Sequence, residues 1–455
     1  MKMSTPTRRT FLALAGCVVA AALWVVSADA QERSNVTVIE NVRIFDGTHP
    51  SLSAPSNVRI RGNIIETIST SPIPTDRRAD TQIIAGGGRV LMPGLIDAHW
   101  HATMVRATPA QLLSSGIGYI TLLAGAEATA TLMRGFTSVR DMGGPAFDLK
   151  RAIDDELLPG PRIYPSGAVI TISGGHGDFR ELSDLPRTTG GTLSRVEQLG
   201  ASAVADSPDE VRKRAREQLM QGASQIKLTA GGGVASPFSP LEVVTFTEAE
   251  LRAAVEVATD WGTYVATHAY TSSSIRRSIA AGVKVIEHGH LMDEATARLI
   301  AEKGIWLSTQ PFLDTSLAKT LPVASQQQMM QVVSGTDAIY GYVKKYKIKT
   351  AFGTDILFSA ALAQHQGQGI VDLTRWFTPA EALAMATSAN GELLALSGLR
   401  NPYPGKLGVV EQGALADLLV VDGNPLENID LVADPGNRFL VIMKDGVIYK
   451  NTIPN

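Results

Sequence analysis

Two histidines one residue apart, His99 and His101 in GLIDAHWHATM, follow an apolar run in a chain that has only 8 histidines. On a strand, residues i and i+2 point to the same face, and two imidazoles side by side suit one metal ion. Further along stand Lys227 in SQIKLTAGGG, His268 in TYVATHAY, His288 in VKVIEHGH and Asp355 in KTAFGTD. Each lies at the end of a short, β-branched apolar run. Taken singly, they read as satisfied core histidines, a surface lysine and a capping aspartate. Four imidazoles, a carboxylate and an amine at matching strand ends point instead to a shared metal-binding mouth.

The runs alternate with helical patterns. SPDEVRKRAREQLMQGA precedes SQIKLTAGGG, TEAELRAAVEVATDWG precedes TYVATHAY, and DEATARLIAEKG precedes IWLSTQPF. Ser207 before Pro208, and Thr247 before a pair of glutamates, are suited to cap their helices, with acids in the first turn. Repeated helix–strand units imply parallel strands joined by helical crossovers. From His99 onward the candidates are LIDAHWH, TSVRDMG, RIYPSG, QIKLTA, TYVATHAY, VKVIEHG, IWLSTQP and KTAFGTD. This α/β alternation predicts a (β/α)8 barrel over 94–400, a TIM barrel with its chemistry at the C-terminal strand ends. Residues 31–93 and 401–455 are β-rich, as in NVTVIENVRIFDG and FLVIMKDGVIYKN. They predict a small β-sandwich domain built from both termini.

Residues 1–30 read as an export signal. Arg8, Arg9 and Phe11 open a long apolar run that ends in Ala28-Asp29-Ala30, a small-residue cleavage site. The pattern is similar to a twin-arginine signal and predicts a periplasmic or secreted protein with no stable membrane anchor once it is removed. Leu14-Ala15-Gly16-Cys17 also resembles a lipoprotein box, ranked second because the apolar run continues past it. Cys17 is the only cysteine, so the mature chain has no disulfide and no cysteine ligand or nucleophile. A net charge of −3 gives no field for polyanions and argues against nucleic acid as a partner.

PGLIDAHWH, QIKLTAGGG, ATHAY, IEHGH and FGTD, in that order and followed by GALADLLVVDGNPL, resemble the amidohydrolase superfamily over nearly everything after the signal. The resemblance implies two divalent metal ions, most simply Zn2+. His99, His101, Lys227 and Asp355 would hold one, and Lys227, His268 and His288 the other. It also implies that Lys227 is N6-carboxylated and bridges them; an ammonium would repel two cations, whereas a carbamate offers two anionic oxygens. Asp355 is then the catalytic proton carrier.

ISGGHGDFR, IKLTAGGGVASP and IEHGHLMDEATARLIAEKG resemble an imidazolonepropionase-like branch. It includes zinc Xaa-Pro dipeptidases, carboxypeptidases and ochratoxin-type amidases. That implies a dipeptide-like or small-molecule substrate that releases an amino acid with a free carboxylate, and a homo-oligomer. His176 in GGHGD, Arg180, and Tyr270 two after His268 are expected to face substrate, with Arg180 pairing its carboxylate. His290 shares the face of His288 but is expected to support rather than ligate, and Trp100 to pack. The run at 231–233 resembles part of a phosphate loop but lacks its GKS/T. Alternatives are a cyclic amide or lactone hydrolase, or a deaminase, although a deaminase would have glutamate where Thr271 stands. A metal-free binding homologue would have lost ligands that are all present here.

Overall fold

The computed structural model describes residues 36–76, 81–185, 191–236, 238–313 and 323–454. The expected signal, with Cys17 and the Ala28–Ala30 site, lies outside the described residues. Among those that are described, no helix is long and apolar enough to cross a membrane.

All eight expected strands form: Leu95–Trp100, Phe136–Asp141, Arg162–Pro165, Ile226–Thr229, Val265–Thr271, Val285–Leu291, Trp306–Thr309 and Thr350–Phe352. Two short ones, Val169–Thr171 and Ser202–Val204, come between the third and fourth. The helices between them start at the capping residues. The Ser207 hydroxyl accepts from the backbone of Glu210, and Thr247 and Glu250 form a reciprocal capping box. Val211, Ala215, Leu251 and Val257 on these helices pack with Ile226, Leu228 and Val265 of the strands in one buried core.

The parallel ladder is not one closed ring. It divides into a seven-stranded sheet and a three-stranded sheet made of Leu95–Trp100, Phe136–Asp141 and Arg162–Pro165. A few hydrogen bonds outside the ladders span the two gaps, Asp355 N–H to His99 O at 2.8 Å among them. At one, Ser224 donates its N–H to Pro165 O at 2.8 Å and Gln225 Nε2 donates to Tyr164 O at 2.9 Å. At the other, the Asn390 side chain replaces the missing ladder. Its Nδ2 donates to Ile96 O at 2.6 Å and to Phe352 O at 2.8 Å, while its Oδ1 accepts from Phe352 N at 3.0 Å. A Cβ on Gly353 would lie 2.5 Å from His99 Cβ, so only glycine lets the last strand end against the first.

The terminal strands join in one connected path of seven, with Thr81–Ala85 paired off it to Val36–Ile44, so the two halves of the expected sandwich share a strand. The cause is Val36–Ile44. It pairs with Ser56–Arg61 and Thr81–Ala85 up to an irregularity between Ile39 and Val42, then with Val90–Pro93. The path continues from Val90–Pro93 to Leu418–Val421, which joins the two ends of the chain. Ile39, Val58, Ile60, Leu91, Leu418 and Val441 share its core. Arg162 fastens this unit to the strands that carry the histidines, with Nη2 3.2 Å from Asp417 Oδ1 and 2.5 Å from Asp445 Oδ1.

Candidate active site

His99, His101, Lys227, His268, His288 and Asp355 all line one cavity of ≈ 450 Å³. The structure brings together at one place residues spread over more than half the chain. Asp355 Oδ1 lies 3.4 Å from His99 Nε2 and 3.3 Å from His101 Nε2. Lys227 Nζ lies 3.5 Å from the same His99 nitrogen. The His99 and His288 rings are 4.9 Å apart between centroids, and the His268 and His288 rings 4.4 Å. The donor atoms of His99, His101 and Asp355 fall within 4.8 Å of one another, a spacing that could hold one ion.

Each of the four imidazoles is turned by an acceptor on its outer nitrogen. His101 Nδ1 donates to Gly143 O at 3.0 Å, and His268 Nε2 to Gly232 O at 2.8 Å. His99 Nδ1 meets Glu287 Oε2 at 2.8 Å, and His288 Nδ1 meets Gln310 Oε1 at 2.7 Å. A nitrogen facing a carbonyl or carboxylate oxygen carries the proton, which leaves the other nitrogen's lone pair for the cluster. Burial, reinforced for His99 by the neighbouring Lys227, drives His99, His268 and His288 well below the usual histidine range. Burial also pushes Lys227 down to about 8. For Asp355 burial alone would raise the carboxyl; His99, His101 and Lys227 outweigh it and hold the group below its ordinary value. Neutral imidazoles, an ionised carboxylate and a readily deprotonated amine are a donor set that fits divalent cations.

Two ligand candidates have unusual backbones. His288 has φ 74° and is followed by Gly289 at φ 77°; Asp355 has φ 54°. Positive φ costs a non-glycine residue roughly 1–3 kcal/mol and persists where the surroundings fix it. The pairing of Val265–Thr271 with Val285–Leu291 gains a residue after His288, so Ala269 faces His288 but Thr271 faces Leu291. That bulge re-aims the side chains beyond it. His290 turns to Gln310 O, 2.9 Å from its Nε2, and does not line the cavity.

Sequence reasoning missed the support beneath the histidines. Glu287 and Arg140 are both fully buried, with Arg140 Nη2 2.7 Å from Glu287 Oε1. Arg140 also donates to Ala98 O at 2.6 Å and to the Tyr264 hydroxyl at 3.2 Å. The available signal was a charged residue inside each of two strands that are buried along almost their whole length. Glu287→Ala should therefore lower unfolding free energy by about 3–5 kcal/mol, because it strands the buried guanidinium. Urea denaturation checks this, and a loss under about 1 kcal/mol would show that the pair carries little.

The sequence model of the amidohydrolase family matches residues 90–448. The chain belongs to the amidohydrolase family. It is 31% identical to the ochratoxinase of Aspergillus niger over 373 residues, 79% of this chain and 76% of that one. A crystal structure of an amidohydrolase superposes with a TM-score of 0.85 at 36% identity, covering 92% of this chain and 100% of the other. A prolidase complexed with N-methylphosphonate-L-proline superposes at TM-score 0.84 and 33% identity, with the same coverage. The protein is thus a hydrolase of amide bonds.

Two of the three residues expected to face substrate line this amidohydrolase cavity: His176 and Tyr270. The His176 ring sits 4.2 Å from that of His268, its Nδ1 2.9 Å from Ser236 Oγ, and burial pushes it down to about 4. Tyr270 stacks on His288 at 5.0 Å. The glycines at 231–233 are there for packing: a Cβ on Gly233 would overlap the His176 ring, and one on Gly232 the carbonyl of Pro240. Arg180 departs from expectation. Its Nε and Nη2 each lie 2.7 Å from an oxygen of Asp178, Nη2 also reaches Ser173 Oγ, and it does not line the cavity. An acid two residues earlier satisfies the guanidinium inside its own loop. Trp100 is buried in an apolar cluster, as a packing residue would be.

Proposed function

We propose that this amidohydrolase cleaves the amide between an acyl group and the nitrogen of an amino acid, as a dipeptidase, carboxypeptidase or N-acyl amino acid amidase. The observation that carries the reading is the six-residue cluster on one cavity, in a chain whose relatives include an ochratoxinase and a prolidase. Two divalent ions, with Zn2+ favoured by imidazole donors, would be held by His99, His101, Lys227 and Asp355 and by Lys227, His268 and His288, with Lys227 as the carbamate. Bound there, they would supply an electrophile for the carbonyl and a water of lowered pKa. The chain does the rest. Asp355 takes up the proton of the attacking water and returns it to the departing amine. Its side chain keeps 16% exposure, more than the 1–8% of His99, His101 and His288, so its oxygens reach the open side of the cluster. His176 and Tyr270 flank the substrate.

The same reading takes the two parallel sheets as arcs of one (β/α)8 barrel, supported by the bridges of Asn390 and Ser224 across the gaps. It takes the protein as exported, on the strength of Arg8, Arg9 and Ala28–Ala30, and as an assembly of several copies.

A matched pair of substrates tests it: one N-acyl amino acid and its C-terminal amide, assayed on metal-replete enzyme. The acid should be cleaved with kcat/KM higher by about 10-fold or more, since a site that pairs a charge discriminates against its absence. Equal rates would remove the carboxylate as the basis of specificity. Cleavage of a lactam or lactone alone would move the protein to ring-opening chemistry.

A further inference from the structure

His99, His101 and Asp355 are proposed to share one ion, yet they come from two sheets. Leu95–Trp100, which carries His99, belongs to the three-stranded sheet; Thr350–Phe352, which leads into Asp355, belongs to the seven-stranded one. Across this seam one fully buried carboxylate, that of Asp97, accepts from both flanks. Its Oδ1 takes the backbone N–H of His99 at 3.0 Å and that of Thr354 at 3.1 Å. Its Oδ2 takes the Thr354 hydroxyl at 2.6 Å and Gln366 Nε2 at 3.0 Å. Asp97 thus holds the backbone of one ligand, His99, and of the residue before another, Asp355.

Gln366 leads from Asp97 away from the cluster. It is fully buried, and its Oε1 accepts from Arg134 Nε at 3.0 Å. Arg134 Nη2 donates to Glu127 and to Thr131 Oγ1, and Glu127 Oε2 lies 2.7 Å from the partly exposed Arg106. Glu127 and Thr131 belong to the helix Ile117–Met133, and Arg134 caps its end. The charged members alternate in sign from Arg106 to Asp97, with Gln366 as the neutral link. The chemistry of that link is restricted. A guanidinium only donates and an ionised carboxylate only accepts, so the link must accept at one end and donate at the other. A primary amide does both, and a carboxylate does not.

We propose that Gln366 is a positioning residue for the metal cluster: held by Arg134, it donates to Asp97 and so fixes the carboxylate that spaces His99 from Asp355. The proposal rests on the metal-dependent reading above. Neither Gln366 nor Asp97 lines the cavity, so the effect passes through the ligands and not through substrate.

Two substitutions of similar size separate this role from filling space or anchoring Arg134. Gln366→Glu gives Arg134 an ion pair but sets a carboxylate against Asp97. Gln366→Met offers neither donor nor acceptor. The probe is Co2+, titrated into metal-depleted protein against a competing chelator, with the visible bands of the bound ion recorded as a report on ligand geometry. Loss of a partner behind a metal ligand costs roughly 10–100-fold in affinity. Both variants should bind Co2+ at least about 10-fold more weakly than wild type, Gln366→Glu the more so, and both should shift the bands. At saturating metal, kcat should fall by about 10-fold or more while KM stays within about 2-fold. Thr354→Val removes a donor from the other flank of the same carboxylate and leaves the buried chain intact; it should shift the bands as well, and it serves if the Gln366 variants do not fold. Wild-type bands and affinity in Gln366→Glu would show that the residue only anchors Arg134. The same result in Thr354→Val would show that Asp97 does not set the spacing. Either overturns the proposal and leaves the metal-dependent reading standing. If wild type itself takes up no Co2+, that reading falls and this one with it.

Discussion

Lys227→Ala should abolish turnover and, with two ions bound as proposed, lower metal content from two equivalents to one or none. The side chain is almost fully buried, and its Nζ lies at His99 Nε2, inside the ring of imidazoles. If it is the group shared between two ions, its loss removes a ligand from each. The ions are worth several kcal/mol of charge stabilisation, so activity should drop by roughly 10³-fold or more. Elemental analysis of metal-replete protein supplies the count and a denaturation curve the folding control. Added formate, a small anion able to enter the space vacated, should restore part of both metal and activity. A variant that keeps two equivalents and near wild-type turnover would end the shared-ligand role.

Asp355→Asn should keep the fold and lose turnover by about 10²–10⁴-fold, the usual worth of a positioned acid–base group. Asparagine is the informative replacement for a backbone reason. Asp355 has φ 54°, a region that asparagine adopts more readily than other non-glycine residues. The amide also keeps an oxygen able to share an ion with His101, whose Nε2 lies 3.3 Å from Oδ1 in the native protein. What it cannot do is carry a proton. Metal content and kcat should therefore separate, with bound metal largely retained and kcat collapsed. Near wild-type kcat with full metal would show that another group moves the proton.

The cluster was legible because strand ends repeat: short apolar runs terminating in His, Lys or Asp are visible one by one, and α/β topology places such ends together. What supports them was not. Glu287 adjoins His288 in the chain, yet its partners are His99 and Arg140, and no local pattern links the three. Arg180 shows the opposite: its acid, Asp178, stands two residues away in the same loop, and sequence proximity does not distinguish a pair within the loop from a pair with substrate. His290 keeps to the alternation of an ideal strand only until the bulge. The ladder gaps were invisible because hydrophobic period reports which face is buried, not which neighbours are hydrogen-bonded.

The amide bridge of Asn390 also sets a clock. Its bond to Ile96 O spans 294 residues of chain, and Val90–Pro93 waits still longer for Leu418–Val421. At about 5–20 residues per second on the ribosome, roughly 15–60 s separate the emergence of His99 and His101 from that of the residue that fastens their strand. Until then that flank of the first strand has only earlier contacts such as Asp355 N–H to His99 O, and the amide of its final partner has not been made. A polypeptide halted just short of residue 390 contains all six residues of the cluster in its sequence and lacks the amide bridge that closes it.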